Sequence, residues 1–452
     1  MHTKITRLLQ IGDVHLPDWP SEKTSLDLKD GAFSEDIIQD LTENRLSMVL
    51  SALNKVANSR SIDSVVLMGD YTSRGQTEHI SRATRILCTL LQDAGNRHQP
   101  TVCGVPGNHD VSKVDAAKKG PIAKFEPVRK AFRECGFNEP PVEDSVFHAI
   151  KNRDGGQLEI CLLNTSIGSM SVHLLPQQLQ ADFQDDQLEQ TPVKFFEHEQ
   201  DARAEPEFGA ITGKVKNRVD QLYNQLDTPY LSKYALRSLL GWISNGQKDF
   251  ALICAHHNIL PQRIPRITPY AEMLNAGLLR DALLETGKVI LYLHGHIHES
   301  PIETIVRPKA YGETGHTAKI ISVSAPPIWE GFNEVGLFHD ENDDIFLVRV
   351  TEYRPNKNGH IGNFSDQRTR YFPLITDHSV LMTKNARRLW DKLRDSTRLT
   401  WSELIEECEE LDLANDDLEH LAMLLFCSGA MKIANLGKPR HKWRLEISEM
   451  GA

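Results

Sequence analysis

The chain has 452 residues, 40% of them hydrophobic and 25% charged, the composition of a globular protein with room for two or three domains. No window has the apolar length of a transmembrane helix, and Met1-His2-Thr3-Lys4 runs straight into a strand-like stretch, so a cytoplasmic protein with no signal peptide is expected. A formal net charge of −11 excludes a protein-wide positive field that would draw in nucleic acid, although a local basic patch remains open.

Thr6 to Ile11 is a short aliphatic run halted by Gly12, which reads as a first buried strand with Asp13-Val14-His15 just past its end. A polar loop follows to Phe33. Ser34-Glu35-Asp36 then resembles an acidic N-cap, and apolar residues from Ile37 to Val56 keep helical spacing. Ser64 to Met68 is a second strand ending in Gly69-Asp70, Ser81 to Leu91 a helix, and Thr101 to Val105 a third strand. That third strand delivers Gly107-Asn108-His109-Asp110. Leu158 to Leu163 reads as a fourth strand.

From 170 to 228 the pattern breaks into an acidic stretch with Asp182, Asp185, Asp186, Glu197 and Glu205, either a solvated excursion or a lid. The helical period returns over 231–242. Phe250 to Cys254 is a strand ending in Ala255-His256-His257, Leu278 to Leu284 a helix, and Lys288 to Leu293 a strand ending in His294-Gly295-His296-Ile297-His298. Strands at Lys319 to Val323, Glu334 to Phe338 and Asp344 to Thr351 complete an α/β domain over 1–373. Three helical patterns (381–393, 402–411, 416–427) and a hairpin (430–434, 443–447) match a winged-helix layout over 374–452. Seven cysteines without a Cys-x-x-Cys pair point to reduced thiols.

Asp13 with His15, Asp70, Asn108 with His109, His256, and His296 with His298 each lie behind a separate apolar run. In a wound α/β sheet such strand ends converge on one edge. Two carboxylates, one amide oxygen and four imidazoles are what two adjacent divalent cations need, with a carboxylate able to bridge them. Singly, each of these groups is as readily a turn or a satisfied core residue; together, in this order, they form a pattern.

Asp13-x-His15, Gly69-Asp70, Gly107-Asn108-His109-Asp110, His256 and Gly295-His296-x-His298 resemble the five blocks of the calcineurin-like metallophosphoesterases, over about residues 5 to 350. The resemblance implies a β-sandwich of two mixed sheets flanked by helices, with a dinuclear site at one rim. It makes Asp13, His15 and His298 ligands of one metal, and Asn108, His256 and His296 ligands of the other. Asp70 would bridge them and a bridging hydroxide would attack phosphorus. His109 would serve as acid or cationic stabiliser at the leaving group, with Asp110 orienting it. Manganese, iron, zinc and cobalt suit such donors, and manganese is favoured.

Gly69-Asp70-Tyr71-Thr72-Ser73-Arg74-Gly75 resembles the blocks of the phosphoprotein phosphatases and the class III cyclic-nucleotide phosphodiesterases. Arg74 is then either a phosphate contact or a surface arginine. Ser73 stands where the purple acid phosphatases have a tyrosine ligand, which sets that branch aside. Val105 to Asp110 and the His256-His257 doublet are most similar to the cyclic-nucleotide group, although repair nucleases share Gly-Asn-His-Asp. A phosphodiesterase on a nucleotide-like ester is therefore expected, with a nuclease and a non-catalytic scaffold as alternatives. In the C-terminal segment Glu403, Glu406, Glu407, Asp416, Asp417 and Glu419 would repel phosphates, while Lys438, Arg440, Lys442 and Arg444 make the hairpin basic. Protein contact or self-association is favoured there over nucleic acid.

Overall fold

The buried strands form where β-branched and aliphatic residues predominate, because a strand covered on both faces takes such a run, and polar residues within them such as Gln10 and Arg349 are hydrogen-bonded. The computed structural model describes residues 5–16, 46–59, 62–73, 75–92, 100–111, 122–142, 145–151, 157–169, 229–246, 248–261, 272–307, 318–354, 368–374, 384–393, 398–408 and 415–447. The 170–228 stretch, Arg74 and the N-cap at Ser34 lie outside the described residues.

The first sheet carries β1 (Ile5–Ile11), β2 (Ser64–Leu67) and β3 (Thr101–Gly104) in parallel. It continues from β1 through antiparallel β10 (Phe332–His339), β11 (Ile345–Tyr353) and β12 (Arg368–Pro373). The second sheet runs β4-β5-β6-β7-β9-β8. Its central strands β5 (Gln157–Leu163), β6 (Phe250–Ala255), β7 (Val289–His294) and β9 (Lys319–Ser324) are parallel, and β4 (Val146–Lys151) and β8 (Ile302–Val306) pair antiparallel at its edges. The strand ends that a single wound sheet would gather on one edge thus come from two sheets.

Leu8, Val66 and Cys103 of the first sheet meet Leu162, Leu252, Leu291 and Ile321 of the second in the layer between them. Fully burying each such Leu or Ile contributes about 1.5–3 kcal/mol, which makes this layer the rigid base of the rim above it. Helices α1 (Leu46–Ser59), α2 (Thr77–Gln92) and α3 (Glu126–Glu134) cover the outer face of β1–β3. Helices α4 (Lys233–Asn245) and α5 (Ala276–Glu285) cover the second sheet. Among the described residues no helix is long and apolar enough to cross a membrane.

The C-terminal segment follows the order α6 (Lys384–Leu393), β13 (Leu399–Thr400), α7 (Trp401–Glu407), α8 (Asn415–Cys427), β14 (Met431–Ala434) and β15 (Arg444–Ile447). The expected hairpin gains β13 as a third strand, paired with β15. Its helices share a core with Phe338, Phe346 and Leu347 of the first sheet. Glu419, counted above among phosphate-repelling charges, is instead fully buried on α8. Arg349 donates to it at 2.6 Å and to Glu334 at 2.8 Å, while Arg440 of the hairpin donates to its other oxygen at 3.1 Å.

Candidate metal centre

The chain leaves β1, β2 and β7 in abrupt turns, and the backbone at those turns is strained. His15, Asp70, His296 and His298 hold φ of 51°, 51°, 68° and 54°. They are four of the six non-glycine residues with positive φ among those described, and each such residue costs about 1–3 kcal/mol. Strain of that size concentrated at one rim marks it as a site.

Short contacts tie the loops together. The Asp70 carbonyl accepts from Val14 N at 2.9 Å and His15 N at 2.8 Å, and Ser73 Oγ donates to His15 O at 2.9 Å. A Cβ on Gly69, whose φ is 94°, would lie 2.6 Å from Gly107 N and 2.8 Å from His256 Nδ1. One on Gly107 would collide with the Asp70 carboxylate. Glycine at both places is therefore a condition for bringing the β2 and β3 loops together.

Asp13 links the two sheets: its Oδ2 accepts from His296 N at 3.0 Å and stands 3.2 Å from His298 Nε2. His298 Nε2 in turn lies 2.8 Å from His15 Nε2. On the other side His256 Nε2 is 3.0 Å from Asn108 Oδ1 and 3.3 Å from Asp70 Oδ2, while His256 Nδ1 donates to Met68 O at 2.6 Å. Asp70 Oδ2 is also 3.7 Å from His15 Nε2. Three groups, Asp13-His15-His298, Asp13-Asp70-His256 and His256-His257-His296, each have one donor atom per residue within 4.8 Å of one another.

The electrostatics are those of a cation site. Burial pushes the Asp70 carboxyl up, but the charges of His256 and His109 outweigh it and hold Asp70 well below its ordinary value. Asp13 ends lowered in the same way, burial being overcome by the hydrogen bond from His298 and the charge of His256. Burial alone would lower His256; Asp70 overcomes that and raises it to about 10. With Nδ1 committed to Met68 O, Nε2 is the ring nitrogen that faces the two oxygens. A positive charge is what this spot takes, and a divalent metal with carboxylate, amide and imidazole donors fits it.

His109 is exposed and its Nδ1 lies 2.9 Å from Ser73 O, with its ring edge-on to His15 at 5.1 Å between centroids. Asp110 departs from the expected role of orienting it. Its Oδ2 accepts from Gly107 N at 2.9 Å and its Oδ1 from Thr72 N at 3.2 Å, so it braces the β2 and β3 loops from beneath. Burial and the neighbouring Asp70 push Asp110 up to about 7. Arg74 lies outside the described residues. Trp329, in the loop after β9, carries no motif signal in the sequence, and its ring stands 6.0 Å from that of His15 and 6.1 Å from that of His298. His257, fully buried against His296, enters the sequence pattern only as the second half of a doublet.

Two mixed sheets that meet at a rim of converging carboxylates and imidazoles define a metal-dependent hydrolase of phosphoesters. The chain belongs to the calcineurin-like phosphoesterase family, whose pattern matches residues 6–300. No curated protein matches it in sequence. Among solved structures it is similar to a dimetal phosphatase of Danio rerio, at 12% identity over 80% of this chain and 98% of that one, with a TM-score of 0.41. It is also similar to the calcineurin-like phosphoesterase YfkN of Bacillus subtilis, at 11% identity over 94% and 99%, with a TM-score of 0.33. A third is a putative 5'-nucleotidase of Staphylococcus aureus, at 11% identity over 88% of this chain and 60% of that one, with a TM-score of 0.38.

Proposed function

We propose that the protein is a two-metal phosphodiesterase acting on a nucleotide-type ester. One observation carries the reading: Asp70 Oδ2 faces His256 of one donor group at 3.3 Å and His15 of the other at 3.7 Å, which suits a carboxylate shared by two cations. Asp13, His15 and His298 would hold one cation, and Asn108, His256 and His296 the other. When bound, the two cations lower the pKa of water and offset charge that develops on phosphorus oxygens.

The chain's own groups do the rest. His109, exposed and tied at Nδ1 to Ser73 O, would hand a proton from Nε2 to the leaving oxygen. Met68 O fixes the ring of His256, and Asp110 holds the loop on which Asn108 and His109 sit. The choice of diester over monoester rests on the wording of Val105 to Asp110 and the His256-His257 doublet, which is similar to that of the cyclic-nucleotide phosphodiesterases.

Residues 374–452 are read as a winged-helix-like unit, on the order of their helices and strands. Exposed Glu403 and Glu406 would repel phosphates, which favours protein contact or self-association over nucleic acid. The seven cysteines carry free thiols, in keeping with a reducing, cytoplasmic setting.

The test is purified protein with manganese assayed on bis- and mono-p-nitrophenyl phosphate, cyclic nucleotides, and single- and double-stranded DNA and RNA. Turnover of the bis ester and cyclic nucleotides is expected. Turnover of monoesters alone would remove the diesterase reading, and cleavage of polynucleotides alone would replace it with a nuclease.

A further inference from the structure

His257 is fully buried at the end of β6, and its neighbours hold it in one orientation. The Tyr292 hydroxyl donates to its carbonyl at 2.8 Å, its backbone N–H donates to Thr165 Oγ1 at 3.2 Å, and its Nδ1 is 2.8 Å from the same oxygen. Its Nε2 is buried with no hydrogen-bond partner among the described residues. The ring lies 4.4 Å from that of His296 and 4.7 Å from that of His256, and one donor nitrogen from each of the three lies within 4.8 Å of the others.

A buried ring nitrogen without a partner is costly, and packing a third imidazole against two others compounds the cost unless something positive accepts their lone pairs. Thr165 supplies the outer half of that arrangement. An imidazole whose Nδ1–H is taken by an oxygen presents its Nε2 lone pair, as metal-bound histidines do.

We propose that His257 Nε2 is a further ligand of the metal held by Asn108, His256 and His296, giving that position three imidazoles where its neighbour has two. This rests on the two-metal reading above. The consequence is unequal selectivity: the nitrogen-rich position favours zinc, iron or cobalt over manganese, and the position of Asp13, His15 and His298 accepts manganese more readily.

The experiment has two readouts besides activity. Metal-free protein is titrated with zinc and with manganese, and bound metal is counted for wild type, His257→Gln, Thr165→Val and His298→Ala. Wild type is expected to bind two zinc ions. His257→Gln should weaken one of them by at least about 100-fold, and Thr165→Val should weaken the same one by about 10–100-fold, as loss of an outer partner does. His298→Ala should weaken the other ion.

Wild-type protein carrying isotopically labelled histidine and loaded with a magnetic isotope of cadmium should show a one-bond coupling to His257 Nε2, a readout that needs no variant. Two zinc ions bound with unchanged affinity in a folded His257→Gln protein, or no coupling at His257 beside couplings at His256 and His296, would overturn the inference alone. Wild type binding fewer than two ions would overturn the two-metal reading and this inference with it.

Discussion

The backbone N–H of His109 donates to Asp70 Oδ1 at 2.9 Å. The carboxylate that faces both donor groups therefore also fixes the loop that presents the exposed imidazole, and the two functions can be separated by mutation. His109→Ala keeps the backbone contact and should leave metal content unchanged. It should slow turnover of esters with an alkoxide leaving group by about 10²–10⁴-fold and affect p-nitrophenolate release far less. Equal losses on both classes of leaving group, measured as kcat, would contradict the role of proton donor.

Asp110 is expected to act on stability. Asp110→Ala strands the Gly107 and Thr72 N–H groups in a buried place, at about 1–3 kcal/mol each. Asp110→Asn retains one acceptor and should cost less. Urea denaturation of both variants checks the order.

The chain of charges Glu334–Arg349–Glu419–Arg440 joins the first sheet to the C-terminal helices. Arg349→Leu leaves Glu334 and Glu419 buried without their shared partner and should cost about 3–5 kcal/mol. Differential scanning calorimetry should then show the C-terminal helices melting earlier, whereas an unchanged profile would mean that their apolar contact with Phe338 and Phe346 suffices.

Acid sensitivity has a defined sign at His420. It donates from Nε2 to His339 O at 2.7 Å, and burial holds its pKa below the ordinary 6.5. In the window below that value the unfolded chain binds a proton that the folded chain refuses, so stability falls as pH drops through it. His420→Gln keeps a donor and cannot titrate, so its urea midpoint should change less than that of wild type between about pH 7.5 and about pH 5.5.

The strands that position the site were legible because β1, β2, β3, β6 and β7 are short runs dominated by aliphatic residues and almost wholly buried. Strands β4, β8 and β12 lie at sheet edges, and polar residues such as His148, Glu303 and Arg368 interrupt their sequences. Helix α3, whose sequence is EPVRKAFRE, hides its apolar stripe among charges.

Within the site, Asp13, Asp70 and the paired histidines announced themselves by standing directly after such runs. His257 did not, since alternation along a strand puts neighbours on opposite faces, and only the turn after Ala255 buries both rings. Arg349 was invisible for a different reason. It sits mid-strand among apolar residues, and its partner Glu419 lies in another structural unit.

The central claim is that Asp70 unites two metal positions into one hydrolytic centre, and Asp70→Asn tests it most directly. Metal content and turnover of bis-p-nitrophenyl phosphate are measured for wild type and variant at equal protein and manganese concentrations. Wild type should bind two ions and show measurable turnover. The variant should lose at least one ion and show a fall in kcat of at least about 100-fold, on the scale of losing a preorganised electrostatic group. A folded Asp70→Asn protein with two ions and wild-type turnover would contradict the claim.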